Sequence, residues 1–171
     1  PNYLKPVELI LKKLCSKGIY DHVEGGISRY TVDENWLIPH FEKMLYDNVQ
    51  FILLLAKYLK VKPDNYYLKK AKQTTNFIKI NFLTKETNLL GSAYDADSDG
   101  VEGKYYVYSY DELKNVKDIE KFFNIRPEGN WEGKIILDEI NEPKDEIIEK
   151  LLNIRKKRKK PFFDKKNQLD L

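Results

Sequence analysis

Apolar positions are densest between Trp36 and Leu59, WLIPHFEKMLYDNVQFILLLAKYL. The stretch is long enough for a helix, and Pro39 suits a first turn, where its missing N–H costs nothing. At roughly 100° per residue, His40, Lys43 and Asp47 share one narrow sector with Phe51, Leu54 and Tyr58. A second stripe, Phe41, Leu45, Ile52 and Leu59, runs beside it. Only a thin strip with Glu42, Gln50, Lys57 and Lys60 is left for solvent. The pattern predicts a central helix with a histidine, a cation and a carboxylate at its largely buried start. Such groups need partners, so they form either a structural network or the wall of a pocket.

The same spacing places other elements. Val7 to Lys17 reads as a helix with Leu9, Ile10, Leu11 and Leu14 inward, stopped by Gly18. A loop follows, in which Gly25-Gly26 between aromatics marks a close approach of backbone to something else. Asp64 is an N-cap for a helix to about Phe82, with Tyr67, Ala71, Thr74, Ile78 and Phe82 inward. Lys104 to Ser109 is aromatic and β-branched and reads as a strand, with the segment before Asp95 as a possible hairpin partner. Ser109 and Glu112 form a capping-box pattern. Asp118 to Asn124 reads as a short helix and Gly133 to Asp138 as a strand. A last helix from Pro143, through Ile147, Leu151 and Ile154, runs into the basic residues 155–160.

Composition narrows the classes. With 171 residues, 42% of them hydrophobic, the chain suits one folded domain rather than a disordered tail. It has no apolar run that would span a membrane, and its start does not read as a signal peptide. It opens on Pro1, so a piece of a longer protein is expected. Cys15 is the one cysteine, which excludes an internal disulfide and a Cys-x-x-Cys motif and fits a reducing, cytoplasmic compartment. Near a helix's apolar side, it reads as a buried, inert thiol. A net charge of +3 is too small to imply nucleic acid. The basic run ends a helix, where cations favour the macrodipole, and reads as a solvated end.

Two short stretches carry candidate chemistry. His40 with Asp47 would fix one imidazole tautomer and raise its basicity, as a general base requires. Arg29 and Asp33 would tie the glycine loop down as an ion pair, or Arg29 would hold an anion or sugar hydroxyl. His22 reads as an exposed loop residue. Asp95-Ala-Asp97-Ser-Asp99-Gly100 copies the first half of an EF-hand loop, but Tyr106 stands where a bidentate Glu belongs. Three readings stay open: a turn of aspartates bonded to nearby backbone, carboxylates lining the cavity of the central helix, and a looser calcium site. No other metal site or cofactor motif is read.

Gly25-Gly26-Ile27-Ser28-Arg29-Tyr30-Thr31-Val32-Asp33 and Trp36 to Asn48, with its PHFEKMLYDN run, resemble a signature of the DUF255, YyaL-like family, which includes the spermatogenesis-associated thioredoxin-like proteins. Ala93 to Ser98 with Gly100 to Tyr106 resembles a second signature, Gly129 to Gly133 a third, and Asp164-Lys165-Lys166 the start of a fourth. Phe163-Asp164 departs from the paired aspartates of many members. The resemblance implies a thioredoxin-like domain followed by an α/α toroid similar to N-acylglucosamine 2-epimerases and six-hairpin glycosidases. This chain would hold only the opening part of that toroid, without redox chemistry.

The expectation is therefore a mainly α chain, a partial α/α toroid with an inserted β-hairpin, whose cavity takes a sugar or polyol. His40 would be the acid/base and Asp47 its orienter. Arg29, Tyr30, Lys43, Asp95, Asp97 and Glu102 would bind substrate. The alternative is a non-enzymatic scaffold that partners the thioredoxin-like domain. His40 and Asp47 should be mostly buried on one helix face. Asp95 to Gly103 should be a tight hairpin loop leading into a strand at Lys104 and reaching the start of the central helix.

Overall fold

The computed structural model describes residues 3–167. These are mainly helical, with two small sheets. Helix α1 spans Leu4–Ser16. Its inward residues are Leu11 and Cys15, flanked by Val7 and Leu14, while Leu9 and Ile10 stay exposed. Consecutive residues 9–11 point in different directions, so spacing and not the local apolar run chooses the face. Gly18 follows an extended Lys17. Its lack of a side chain serves close packing, because a Cβ there would lie 1.9 Å from Leu37 O.

The expected central helix starts later than its apolar pattern. Helix α2 spans Leu45–Val61, just after a two-residue strand β1, Lys43–Met44. Residues 36–42 form an irregular return against the glycine loop. Asp33 accepts from the backbone N–H groups of Asn35 and Ile38, and Trp36 and Phe41 have positive φ, which no helix accommodates. Pro39 bridges Thr31, so it serves an extended edge rather than a first helical turn. The His40 N–H donates to Tyr30 O, and that of Arg29 to Glu42 O. The inward face of α2 is Leu45, Asn48, Phe51, Leu55 and Tyr58, with Leu54 at the exposed rim.

Helix α3, Asn65–Phe77, is capped by Asp64, which accepts from the N–H groups of Tyr66 and Tyr67, and it runs on into one π turn, Ile78–Phe82. Tyr67, Thr74, Ile78 and Phe82 face inward as the spacing predicts, joined by Lys70 and Phe77. Strand β2, Ala93–Tyr94, lies between β1 and β5, Phe163–Asp164, in an antiparallel sheet. Lys43 is opposite Tyr94, and Tyr94 opposite Phe163.

Strands β3, Asp97–Ser98, and β4, Val101–Glu102, make the inserted hairpin. Its turn is Asp99-Gly100, both at positive φ, as a two-residue hairpin turn needs. The strand expected at Lys104 is absent. Tyr106 and Val107 bond back to Gly103 O in a turn, and only Tyr108 pairs, with Ile135. Tertiary packing overrides the β-propensity here, since Tyr105 and Tyr108 are buried in different surroundings. The stretch 133–138 is not a strand: Gly133 lies in a turn at positive φ, and only Lys134 and Ile135 carry isolated bridges. Ser109 and Glu112 close the capping box on a short α4, Tyr110–Leu113. The helix expected near residue 120 is one 3-10 turn, Ile119–Lys121. Helix α5 spans Asp145–Arg155.

The largest apolar cluster joins Tyr108, Leu113, Phe123, Ile135, Ile147 and Leu151. A second lies between α1, α2 and α3 around Leu11, Phe51 and Leu55. The described helices do not close a ring.

Candidate functional site

His40 and Asp47 do not share a helix. His40 lies on the extended return, its ring stacked on Tyr30 at 4.9 Å. Its Nδ1 is 3.3 Å from Glu102 Oε1, and its side chain is 36% exposed. Asp47 sits in the first turn of α2. No ion pair links the two; the carboxylate beside His40 is that of Glu102. Asp47 Oδ2 is buried without a hydrogen-bond partner among the described residues. Burial raises its carboxyl, against the pull of Arg29. Arg29 pairs with Glu42 at 3.1 Å and not with Asp33, because the backbone pairing sets those side chains side by side.

The hairpin does reach the return that precedes α2. A Cβ on Gly103 would lie 2.6 Å from the Phe41 ring. Its three aspartates nonetheless face water. Asp95 accepts from the N–H of Ala96, Asp97 is exposed, and Asp99 pairs with Lys104. Neither Arg29 nor Lys43 bonds to them. Among the described residues no three His, Cys, Asp or Glu side chains converge as metal ligands.

Glu102 also lines a cleft of about 300 Å³, with Val101, Lys104, Trp131, Glu132 and Lys134. Trp131 packs against Phe41, 5.2 Å between rings and tilted. Its loop is a tight reversal, with Glu132 and Gly133 at positive φ. Asn130 holds that loop through both the N–H and the carbonyl of Ile136.

The most buried charges lie elsewhere. Lys43 donates to Asp21 Oδ2 at 2.7 Å and to Gly25 O at 3.0 Å, and sits over the Phe77 ring. Arg155, the first residue of the basic run, is buried and not a solvated helix end. It donates to Asp21 and reaches Glu24 at 3.3 Å. Arg158 is also engaged, on Tyr105 O and Glu112. Burial alone would raise the Asp21 carboxyl, but Arg155 and then Lys43 reverse this and hold it well below the usual range.

A second network surrounds Glu139, which takes bonds from Lys70 at 2.8 Å and Tyr66 at 2.7 Å. His22 is not exposed. It is 3% accessible, with Nδ1 3.0 Å from Glu139 and Nε2 3.2 Å from Lys17 O. Burial and then the Lys70 ammonium hold its imidazole below the ordinary range. Burial would raise Glu139, but His22 and Lys70 bring it down to about 2. Cys15 is buried, and that burial pushes its thiol up to about 12.

Much of the PHFEKMLYDN run therefore ties loops together. Asn48 accepts from Ile27 N–H and donates to Ile27 O and Met44 O. A Cβ on Gly25 would lie 2.8 Å from Gln73 O, and one on Gly26 2.7 Å from Asn48 Oδ1. Sequence reasoning missed Asp21, Glu139 and Arg155. The only local signal was that Asp21 and His22 shortly precede the glycine pair.

No family model matches the chain. Over 112 residues, 62% of the chain, it is 37% identical to "Spermatogenesis-associated protein 20" of Mus musculus and 35% identical to the Homo sapiens protein of that name. It is 34% identical over 119 residues to an uncharacterized protein of Caenorhabditis elegans. These likenesses support a relationship to spermatogenesis-associated protein 20. The matched stretch spans 14% of the length of the mouse and human proteins. No described helix is long and apolar enough to cross a membrane.

Proposed function

We propose that this chain is part of a larger α/α toroid of the DUF255, YyaL-like kind, and that it contributes a sugar- or polyol-binding surface to it. The observation that carries this reading is the double position of Glu102, beside His40 at 3.3 Å and in the cleft of Trp131. An indole face suits the apolar face of a sugar ring, and carboxylates accept hydroxyl hydrogen bonds at several lone pairs. His40 is the candidate acid/base, with Glu102 taking the orienting role first given to Asp47. Tyr30 stacks under the imidazole. Glu132 and Lys134 offer further polar contacts, whereas Asp95 and Asp97 contribute little.

A non-enzymatic scaffold beside a thioredoxin-like domain is the second reading. Exposed Leu9, Ile10 and Leu53 on α1 and α2 favour it, since they offer apolar surface for another part of a longer protein to cover.

Trp131 fluorescence tests the first reading. In a Trp36→Phe background it is the sole indole of this chain. A panel of hexoses, hexitols and N-acetylhexosamines should include a ligand that shifts its emission and saturates. Glu102→Gln should weaken that ligand. A panel with no saturable response removes the reading.

A further inference from the structure

A cleft of about 450 Å³ opens between the π turn after α3 and the segment that follows α5. Its apolar side is Phe77, Ile80 and Leu152, and its polar rim includes Glu24, Lys156 and Lys160. It shares neither Glu102 nor Trp131 with the polyol cleft. Ile80 is 67% exposed although it lines a concavity.

The rim charges are not balanced. Glu24 is already served: its Oε2 accepts from Tyr105 at 2.9 Å and from Arg155 at 3.3 Å. Lys160 donates to Asn81 at 2.7 Å and lies 3.7 Å from Glu24 Oε1. An ammonium has three donors, so Lys160 keeps further capacity. Lys156 is exposed and makes no ion pair among the described residues. Arg158 is neutralised by Glu112 at 2.8 Å. The uncompensated charge over the cleft is therefore positive, above an apolar wall.

We infer that this cleft is a second binding site, for a small carboxylate carried on an apolar body such as a medium-length acyl chain. The head would lie between Lys156 and Lys160, where two cations offer charge-assisted hydrogen bonds. The chain would lie along Phe77, Ile80 and Leu152 and remove Ile80 from water. A cationic head of the same length would meet the two lysines and be repelled. A neutral one would leave both charges without a counterion.

The test is calorimetric titration of the intact protein with octanoate, octan-1-amine and octan-1-ol. Octanoate should bind with one-to-one stoichiometry and weaken as salt rises. Octan-1-amine should bind at least about tenfold more weakly, as expected when one charged contact is lost. Lys156→Glu combined with Lys160→Glu should weaken octanoate by about tenfold or more. These are surface changes, and an unchanged melting temperature checks the fold. Ile80→Ser should weaken octanoate too, and Trp131→Ala should not. Equal binding of the amine and the carboxylate, an unchanged octanoate affinity in the double lysine variant, or no octanoate binding at all would overturn the proposal. Any of these would leave the polyol reading standing.

Discussion

Arg155 Nη1 lies 2.8 Å from both carboxylate oxygens of Asp21. The two side chains are 2% and 5% exposed, and the same carboxylate takes the Lys43 ammonium. One aspartate thus joins the glycine loop, the short strand before α2 and the end of α5. Removing one member of a buried ion pair leaves the other charge without compensation.

Asp21→Asn and Arg155→Met should each destabilise the chain by about 3–5 kcal/mol. Urea denaturation would measure this. A loss under about 1 kcal/mol would mean that water reaches the pair and screens it.

Acid should unfold the chain early. Glu139 titrates at about 2 when folded, against an ordinary 4.5. A depressed carboxylate contributes stability that is fully present above its unfolded value and is lost as pH falls toward the folded one. The unfolded chain takes up this proton first, so stability should fall between about pH 5 and 2, by on the order of 3 kcal/mol from this group. Glu139→Gln should flatten that part of the profile. An unchanged slope in the variant would assign the acid lability to other carboxylates.

Gly26→Ala should cost more than a usual glycine replacement. The residue has φ +82, and the new Cβ meets both Asn48 and Phe77. Strain of about 1–3 kcal/mol follows from the conformation alone. Asn48→Leu should be of similar severity, because it leaves the buried groups of Ile27 unpaired. Thermal melts of both variants check this, and a melting temperature within a degree of the parent would refute it.

Cys15 should resist thiol reagents at pH 8 in the folded state and react at the ordinary rate in denaturant. The thiolate is the reactive form, and a thiol held up to about 12 supplies almost none of it. Fast labelling without denaturant would show that α1 opens locally.

Expressed alone, the chain should self-associate. Leu9 is 60% exposed, Leu53 52% and Val61 65%, all on α1 and α2. Sedimentation should show association that Leu9→Lys with Leu53→Lys reduces. A strictly monomeric parent would mean that these residues are scattered singly and need no cover.

The local features of this fold were legible in the sequence, and the long-range ones were not. Asp64 as a cap, the Ser109–Glu112 box and the glycine pair each follow from residues a few places apart. The start of α2 was misplaced because Pro39 and an apolar run serve an extended edge as readily as a first helical turn. Periodicity holds no information about Trp36 and Phe41 adopting positive φ. Of the candidate site, the approach of the hairpin to His40 was legible, but not which carboxylate would arrive. Asp47 was favoured by helical arithmetic, and Glu102 came from another segment. Arg155 looked like one cation in a solvated run, since its partner Asp21 is remote in sequence.

The sheet of β1, β2 and β5 bears on how the chain folds. Each strand is two residues long, and the register draws Met44, Ala93 and Asp164 from three distant parts of the chain. Strands this short do not persist unsupported, and closing such long loops must precede any gain from pairing. The ladder should therefore form late, after Leu45, Phe77 and Phe82 have built the apolar surface on which Tyr94 and Phe163 stack. Phe163→Leu should then speed unfolding and leave the refolding rate nearly unchanged, the kinetic mark of a contact absent from the transition state.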